Sequence, residues 1–211
     1  IHIDAVQSFG KLQINLNKNV IDTLSISSHK VGGPKGSGGL YVSNQAKCCP
    51  LLDGGGQCEG IRSSTMAAPI IYSFTAAAHE AFSELDQEFS KVLEIKSHII
   101  KEIKNSNKDI LFPFEVAENV SPYILNMVVP NISSDIILRH LEQKDIFISS
   151  SSACSSKIKG ERPELHALKL DGKYHKNLLR VSFGHETTFD EVKIFIDEFL
   201  SVCQKLKFLT R

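Results

Sequence analysis

The residues best suited to chemistry are one lysine, one cysteine, one acid and one arginine, each in an unusual local setting. Lys30 closes the run SISSHK and precedes VGGPKGSGG, so a single amine is followed by glycines that let the backbone turn tightly beside a bound ligand. The loop is not the phosphate cradle of nucleotide-binding proteins, because Lys35 is followed by Gly36 and Ser37 instead of by a hydroxyl residue. Upstream, HIDAVQSFGK places the Asp4 carboxylate at the end of an apolar strand and the Gln7 amide three residues later. Cys154 lies in SSSSACSS, a stretch too polar to form a packed element, which predicts a thiol carried on an exposed loop. Arg180 interrupts an apolar strand in LRVSFG, where a guanidinium calls for an anionic partner such as a carboxylate.

The elements that must position these groups follow from apolar periodicity. Short strands are predicted near Ile1 to Val6, Thr23 to Ser27 and Gly39 to Val42, then a glycine-rich loop from Asp53 to Gly60. One long helix is predicted from about Ala67 to Asn105, with Phe82, Leu85, Phe89, Val92, Ile95 and Ile99 at helical spacing. The remainder reads as an α+β unit: a strand near Tyr123 to Val129, a helix near Ser134 to Gln143, strands near Ile146 to Ser149 and Leu179 to Phe183, and a closing helix from Asp190 to about Lys207. Thr188 is placed to cap that helix. The boundary between the two parts is expected within the long helix, between Phe82 and Lys91. Three strands are too few for a covered α/β sheet, and the chain begins on an apolar strand, so the sequence is expected to be part of a larger fold.

Taken together, D-A-V-Q-x-x-G-K, S-x-H-K-x-x-G-P-K-G-x-G, G-G-G-Q-x-x-G-x-R-S-x-T, S-S-A-C-S-S and L-R-V-S-F-G resemble, in order and spacing, the C-terminal half of the cysteine desulfurases, class V members of the fold-type-I pyridoxal phosphate enzymes. The resemblance runs from Ile1 to about Lys207. It implies an α/β fold in which residues 1–88 are the C-terminal portion of the large cofactor-binding domain and residues 89–211 a small α+β domain carrying the cysteine loop. It implies that pyridoxal phosphate is held covalently by Lys30, with Asp4 on its ring nitrogen, Gln7 on its phenolate oxygen, and Ser27 and His29 on its phosphate. Thr65 would reach the phosphate bound by the partner subunit of a homodimer, and Arg180 would pair with the carboxylate of L-cysteine. Cys154 would take the substrate sulfur as a persulfide and pass it to an acceptor protein, an iron–sulfur scaffold or a tRNA-thiolation enzyme. A selenocysteine lyase or another class V aminotransferase shares the fold, and a catalytically silent scaffold fragment is the reading from a different class. Family members also carry upstream residues that bind phosphate, stack on the ring and contact its phenolate side. None of these is found in the present sequence, so the chain is expected to be incomplete as an active site.

The sequence departs from the family pattern at three places. Cys58 stands where a glutamate is usual, Ser64 where RSGT has its glycine, and Ser134–Asp135 where a Gly-Glu pair opens a helix; the last pair is expected to cap that helix equally well.

The bulk composition narrows the remaining classes. With 211 residues, 42% hydrophobic and 23% charged, the chain is globular in type, and its formal net charge of zero argues against partners held by charge alone, nucleic acid included. No apolar run is long enough to predict a membrane span. Five cysteines without paired CxxC spacing predict free thiols and a reducing cytoplasm, with no structural metal expected at Cys48 and Cys49. Cys203, on the apolar rhythm of the last helix, is expected to be a buried, inert thiol.

Overall fold

The computed structural model describes residues 1–16, 20–114, 120–150 and 170–209. It divides into two compact units, Ile1–Phe89 and Ser90–Arg211. In the first unit, β1 (His2–Asp4) pairs in parallel with β2 (Thr23–Ser27), and β2 pairs antiparallel with β3 (Gly38–Val42). The order β1-β2-β3 leaves β2 in the centre. Ala5, Ile21 and Leu24 form a small buried core, with Ile3, Ile14, Ile26 and Tyr41 packed against it.

The long helix expected from Ala67 to Asn105 is two helices, α1 (Ala68–Ser83) and α2 (Leu85–Ser106). The break follows from local competition for one carbonyl. The Ser83 hydroxyl and the Glu84 N–H both donate to Glu80 O, at 2.8 and 3.2 Å, and Glu84 ends α1. A serine that bonds back onto its own helix weakens continuation of the regular ladder. Apolar periodicity runs across the break, so the sequence pattern alone reads as one element.

The second unit builds a three-stranded antiparallel sheet in the order β4-β6-β5, from β4 (Ile124–Val128), β5 (Ser149–Ser150) and β6 (Leu178–Ser182). Its core joins Val92, Ile95, Ile99 and Ile103 of α2 to buried residues of the strands, of α3 (Ser134–Glu142) and of α4 (Phe189–Leu209). Phe195 and Phe199 stack on α4 with centroids 5.6 Å apart. The start of α4 is a reciprocal cap: Thr188 N–H and hydroxyl donate to Glu191 Oε2, both at 2.9 Å, and Glu191 N–H donates back to Thr188 Oγ1. Those donors hold the Glu191 carboxyl below its ordinary range.

At α3 the expectation of a Ser134 cap is corrected. Ser133 is the N-cap and makes no side-chain cap bond, while Ser134 is the first helical residue and is buried. Asp135 accepts instead from the Ser150 hydroxyl at 3.2 Å, which ties α3 to β5. Lys96 is buried on α2, donates to Ser121 O at 3.1 Å, and has its pKa lowered by that burial. Among the described residues, no helix is long and apolar enough to cross a membrane.

Cys203 is buried, and desolvation pushes its thiol up to about 12. Because only the thiolate is a good nucleophile, iodoacetamide at pH 8 should label exposed Cys49 and Cys58 in the folded protein and spare Cys203 until denaturant is added. Peptide mass mapping reads the difference. Labelling of Cys203 at the same rate as Cys58 would show that the helix does not protect it.

Candidate active site

Parallel pairing puts the carboxyl ends of β1 and β2 at the same edge of the sheet, with Asp4 in register with Ser25. In open α/β sheets, ligands bind outside such strand ends. Asp4 is the last residue of β1; Ser27 is the last of β2 and leads directly into the short 3-10 turn Ser28–Lys30. The fold therefore brings Asp4, Ser27, His29 and Lys30 to one edge.

Local bonding sets the orientation of these groups. Asp4 Oδ1 accepts the Val6 N–H at 3.0 Å, which turns the chain sharply away from the strand and leaves the carboxylate exposed. Ser27 Oγ lies 2.8 Å from His29 Nδ1, so a hydroxyl and an imidazole sit side by side. Lys30 is half-buried. After it, Val31 N–H and Gly33 N–H both donate to Ser28 O, and Ser28 N–H donates to Ser37 O, folding the glycine-rich run back on the turn. A Cβ on Gly33 would come within 2.3 Å of Ser28 Oγ, a close approach that leaves no room for a side chain.

Gly10 has φ +70, and a Cβ there would lie 2.8 Å from Val31 Cγ1 and 3.1 Å from Ala81 Cβ. The turn after the acid thus packs against the residue after the lysine. Gln7 is exposed in that turn. Lys11, at the end of the same motif, is half-buried; burial chiefly, and the neighbouring Lys30 ammonium secondarily, hold its pKa below the ordinary lysine range. Lys11 was not singled out by sequence reasoning, although it closes DAVQSFGK, and its only signal is that motif position.

The loop carrying Thr65 is exposed. Among the described residues, no hydrogen bond joins Thr65 to Ser27, His29 or Lys30. Ser64 adopts φ +102, a backbone region that disfavours any residue with a Cβ. A glycine there would adopt this φ without that cost. Cys58 and Glu59 also have positive φ, 49 and 57, and Cys58 Sγ lies 3.8 Å from Met66 Sδ.

In the second unit Arg180 is exposed on β6 between buried Leu179 and Val181. Alternation along β6 sends the guanidinium to the open face. Among the described residues, no hydrogen bond or ion pair engages it. Cys154 lies outside the described residues.

The sequence model of the aminotransferase class-V family matches residues 1–195. The chain belongs to that family. It is 34% identical over 98% of its length to the mitosomal cysteine desulfurase of Encephalitozoon cuniculi, of which it covers 47%. Its fold superposes on a NifS-like protein with a TM-score of 0.81 at 28% identity, covering 98% of this chain and 52% of that one. It also resembles SspA in complex with cysteine, with a TM-score of 0.60 at 29% identity, covering 89% and 51% of the two chains. The chain thus spans about half the length of these class-V relatives, and its mixed α/β architecture is theirs over that span.

Two substitutions probe the backbone of this site. Ser64→Gly should stabilise the protein by about 0.5–1 kcal/mol, because glycine adopts the positive φ without steric cost. Gly10→Ala should destabilise it by about 2 kcal/mol, since the added methyl meets Val31 in a backbone conformation that alanine disfavours. Urea denaturation of the wild type and both variants measures the signs.

Proposed function

We propose that this chain forms part of a pyridoxal phosphate-dependent cysteine desulfurase, which converts L-cysteine to L-alanine and passes the sulfur through a Cys154 persulfide to an acceptor protein. The observation that carries the reading is the gathering of Asp4, Ser27, His29 and Lys30 at the carboxyl ends of a parallel strand pair. The donor set there fits the cofactor: a primary amine for its aldehyde, a carboxylate for its ring nitrogen, and a hydroxyl with an imidazole for its phosphate. The glycine contacts at Gly33 and Gly10 keep the neighbouring backbone close without side chains intervening. Residues 1–88 would then be the C-terminal portion of the cofactor-binding domain, and residues 89–211 the small domain.

When bound, pyridoxal phosphate supplies an electron sink that acidifies the α-carbon of an attached amino acid. Asp4 would hold the ring nitrogen in its protonated form, Gln7 would donate to the phenolate oxygen, and Ser27 and His29 would hold the phosphate. Lys30, as a primary amine, would move the proton at the substrate Cα. Arg180 holds the substrate carboxylate. The Cys154 thiolate attacks the substrate sulfur: an S–S bond forms, the Cβ–S bond breaks with its electron pair going to carbon, and the carbon skeleton takes up protons and leaves as alanine. The sum is one cysteine and one thiol giving one alanine and one persulfide, with no external oxidant. Thr65 would serve the phosphate held by a second copy, making the working unit a homodimer.

The free cysteines Cys48, Cys49, Cys58 and Cys203 support a reducing compartment such as the cytoplasm. An iron–sulfur scaffold or a tRNA-thiolation enzyme is the class of acceptor that such chemistry serves.

The test compares purified, pyridoxal phosphate-loaded wild type with Cys154→Ala and Lys30→Ala, reading alanine and sulfide release from L-cysteine with a reductant. Both variants should lose at least about 100-fold in turnover. Full desulfuration by Cys154→Ala would overturn the mechanism.

A further inference from the structure

The register of the second sheet places Arg180 between two short, neutral polar side chains. Asn126 on β4 and Ser149 on β5 are each directly opposite Arg180 on the central strand β6. By strand alternation all three project from one face, forming a polar row across the whole sheet. On one side of the row lies an apolar floor, the buried pair Val128 and Leu178 with Leu170 and Tyr174 packed against it. On the other side, Ile124 pairs with Ser182. Asp135, a nearby acid, bonds to Ser150, whose side chain points to the opposite face.

Such a row has two physical consequences for the guanidinium. Side chains directly opposite on neighbouring strands have Cβ atoms about 5 Å apart, close enough to limit the sideways swing of the arginine stem. Equally, neither neighbour is charged, and Asn126 and Ser149 are both half-buried, with no hydrogen bond to Arg180 among the described residues. Among the described residues, the planar fork is therefore flanked on both sides but not already occupied.

We propose that Asn126 and Ser149 are positioning residues of the Arg180 carboxylate clamp, and that their neutrality keeps the guanidinium open to the α-carboxylate of an amino acid substrate. This rests on the function proposed above and goes further by assigning two residues to the substrate-carboxylate end of the site. A carboxylate at either position would form a cross-strand ion pair with Arg180 and compete with the ligand. Asn126→Ser and Ser149→Asn, which preserve size class and neutrality, would leave the clamp open.

The experiment uses L-alanine, which carries the α-carboxylate but no sulfur, as the probe in titration calorimetry of the cofactor-loaded protein. Asn126→Asp and Ser149→Asp should each weaken L-alanine binding about fivefold, the scale of a half-exposed competing ion pair. Their KM for L-cysteine should rise in parallel while kcat stays within about twofold, since carboxylate binding is shared by ground and transition states. The neutral variants should bind as the wild type does. Two acidic variants on different strands guard against one failing to fold, which circular dichroism reports. If a folded acidic variant binds L-alanine as tightly as the wild type while Arg180→Ala loses binding, the positioning role is wrong and the clamp stands. If Arg180→Ala also binds normally, the clamp and the positioning role fall together.

Discussion

The parallel register between β1 and β2 is the constraint on which the candidate site depends. Parallel strands bring like ends together, so an acid ending one strand and a serine ending the other must emerge at the same edge of the sheet. A shift of one residue would send every side chain of β1 to the opposite face, burying Asp4 in place of Ala5 or Ile3. Burial of Ala5, Ile21 and Leu24 therefore fixes more than stability. The same small core that holds β1 in register also determines where the carboxylate stands relative to Lys30.

The second unit uses alternation in another way. Along β6 the even positions Arg180 and Ser182 are exposed, while Leu179 and Val181 join a core shared with α2, α3 and α4. The hydrophobic driving force on one face thereby leaves the Arg180–Ser182 end of the other face open to polar groups, beyond buried Leu178, without burying an unpaired charge. The arginine needs no internal counter-ion to be stable there. Its exposure is a by-product of packing on the far side of the strand.

Much of this was legible in the sequence because the relevant signals are short-ranged. Thr23 to Ser27 alternates as a strand and ends at the Ser-His-Lys turn; Thr188 and Glu191 carry the spacing of a reciprocal cap; Cys203 follows the apolar rhythm of its helix. Other features depend on competition that periodicity does not encode. The α1–α2 break rests on one serine hydroxyl taking a helix carbonyl, and the strand expected from Ile146 shrinks to Ser149–Ser150, leaving Phe147 exposed. Ser134 reads as a cap from residue type, yet tertiary packing buries it one position inside the helix. The lysine neighbour Lys11 was hidden for a similar reason, since only the folded turn brings its amine toward Lys30.

The contact between Gly10 and Val31 has a mechanical meaning. The two turns that follow Asp4 and Lys30 are separated by about twenty residues of chain, but they touch through a glycine with no side chain to act as a cushion. Hard-packed atoms transmit displacement instead of absorbing it. Asp4 and Lys30 thus ride on a single stiff body, so a fluctuation that shifts one carries the other with it.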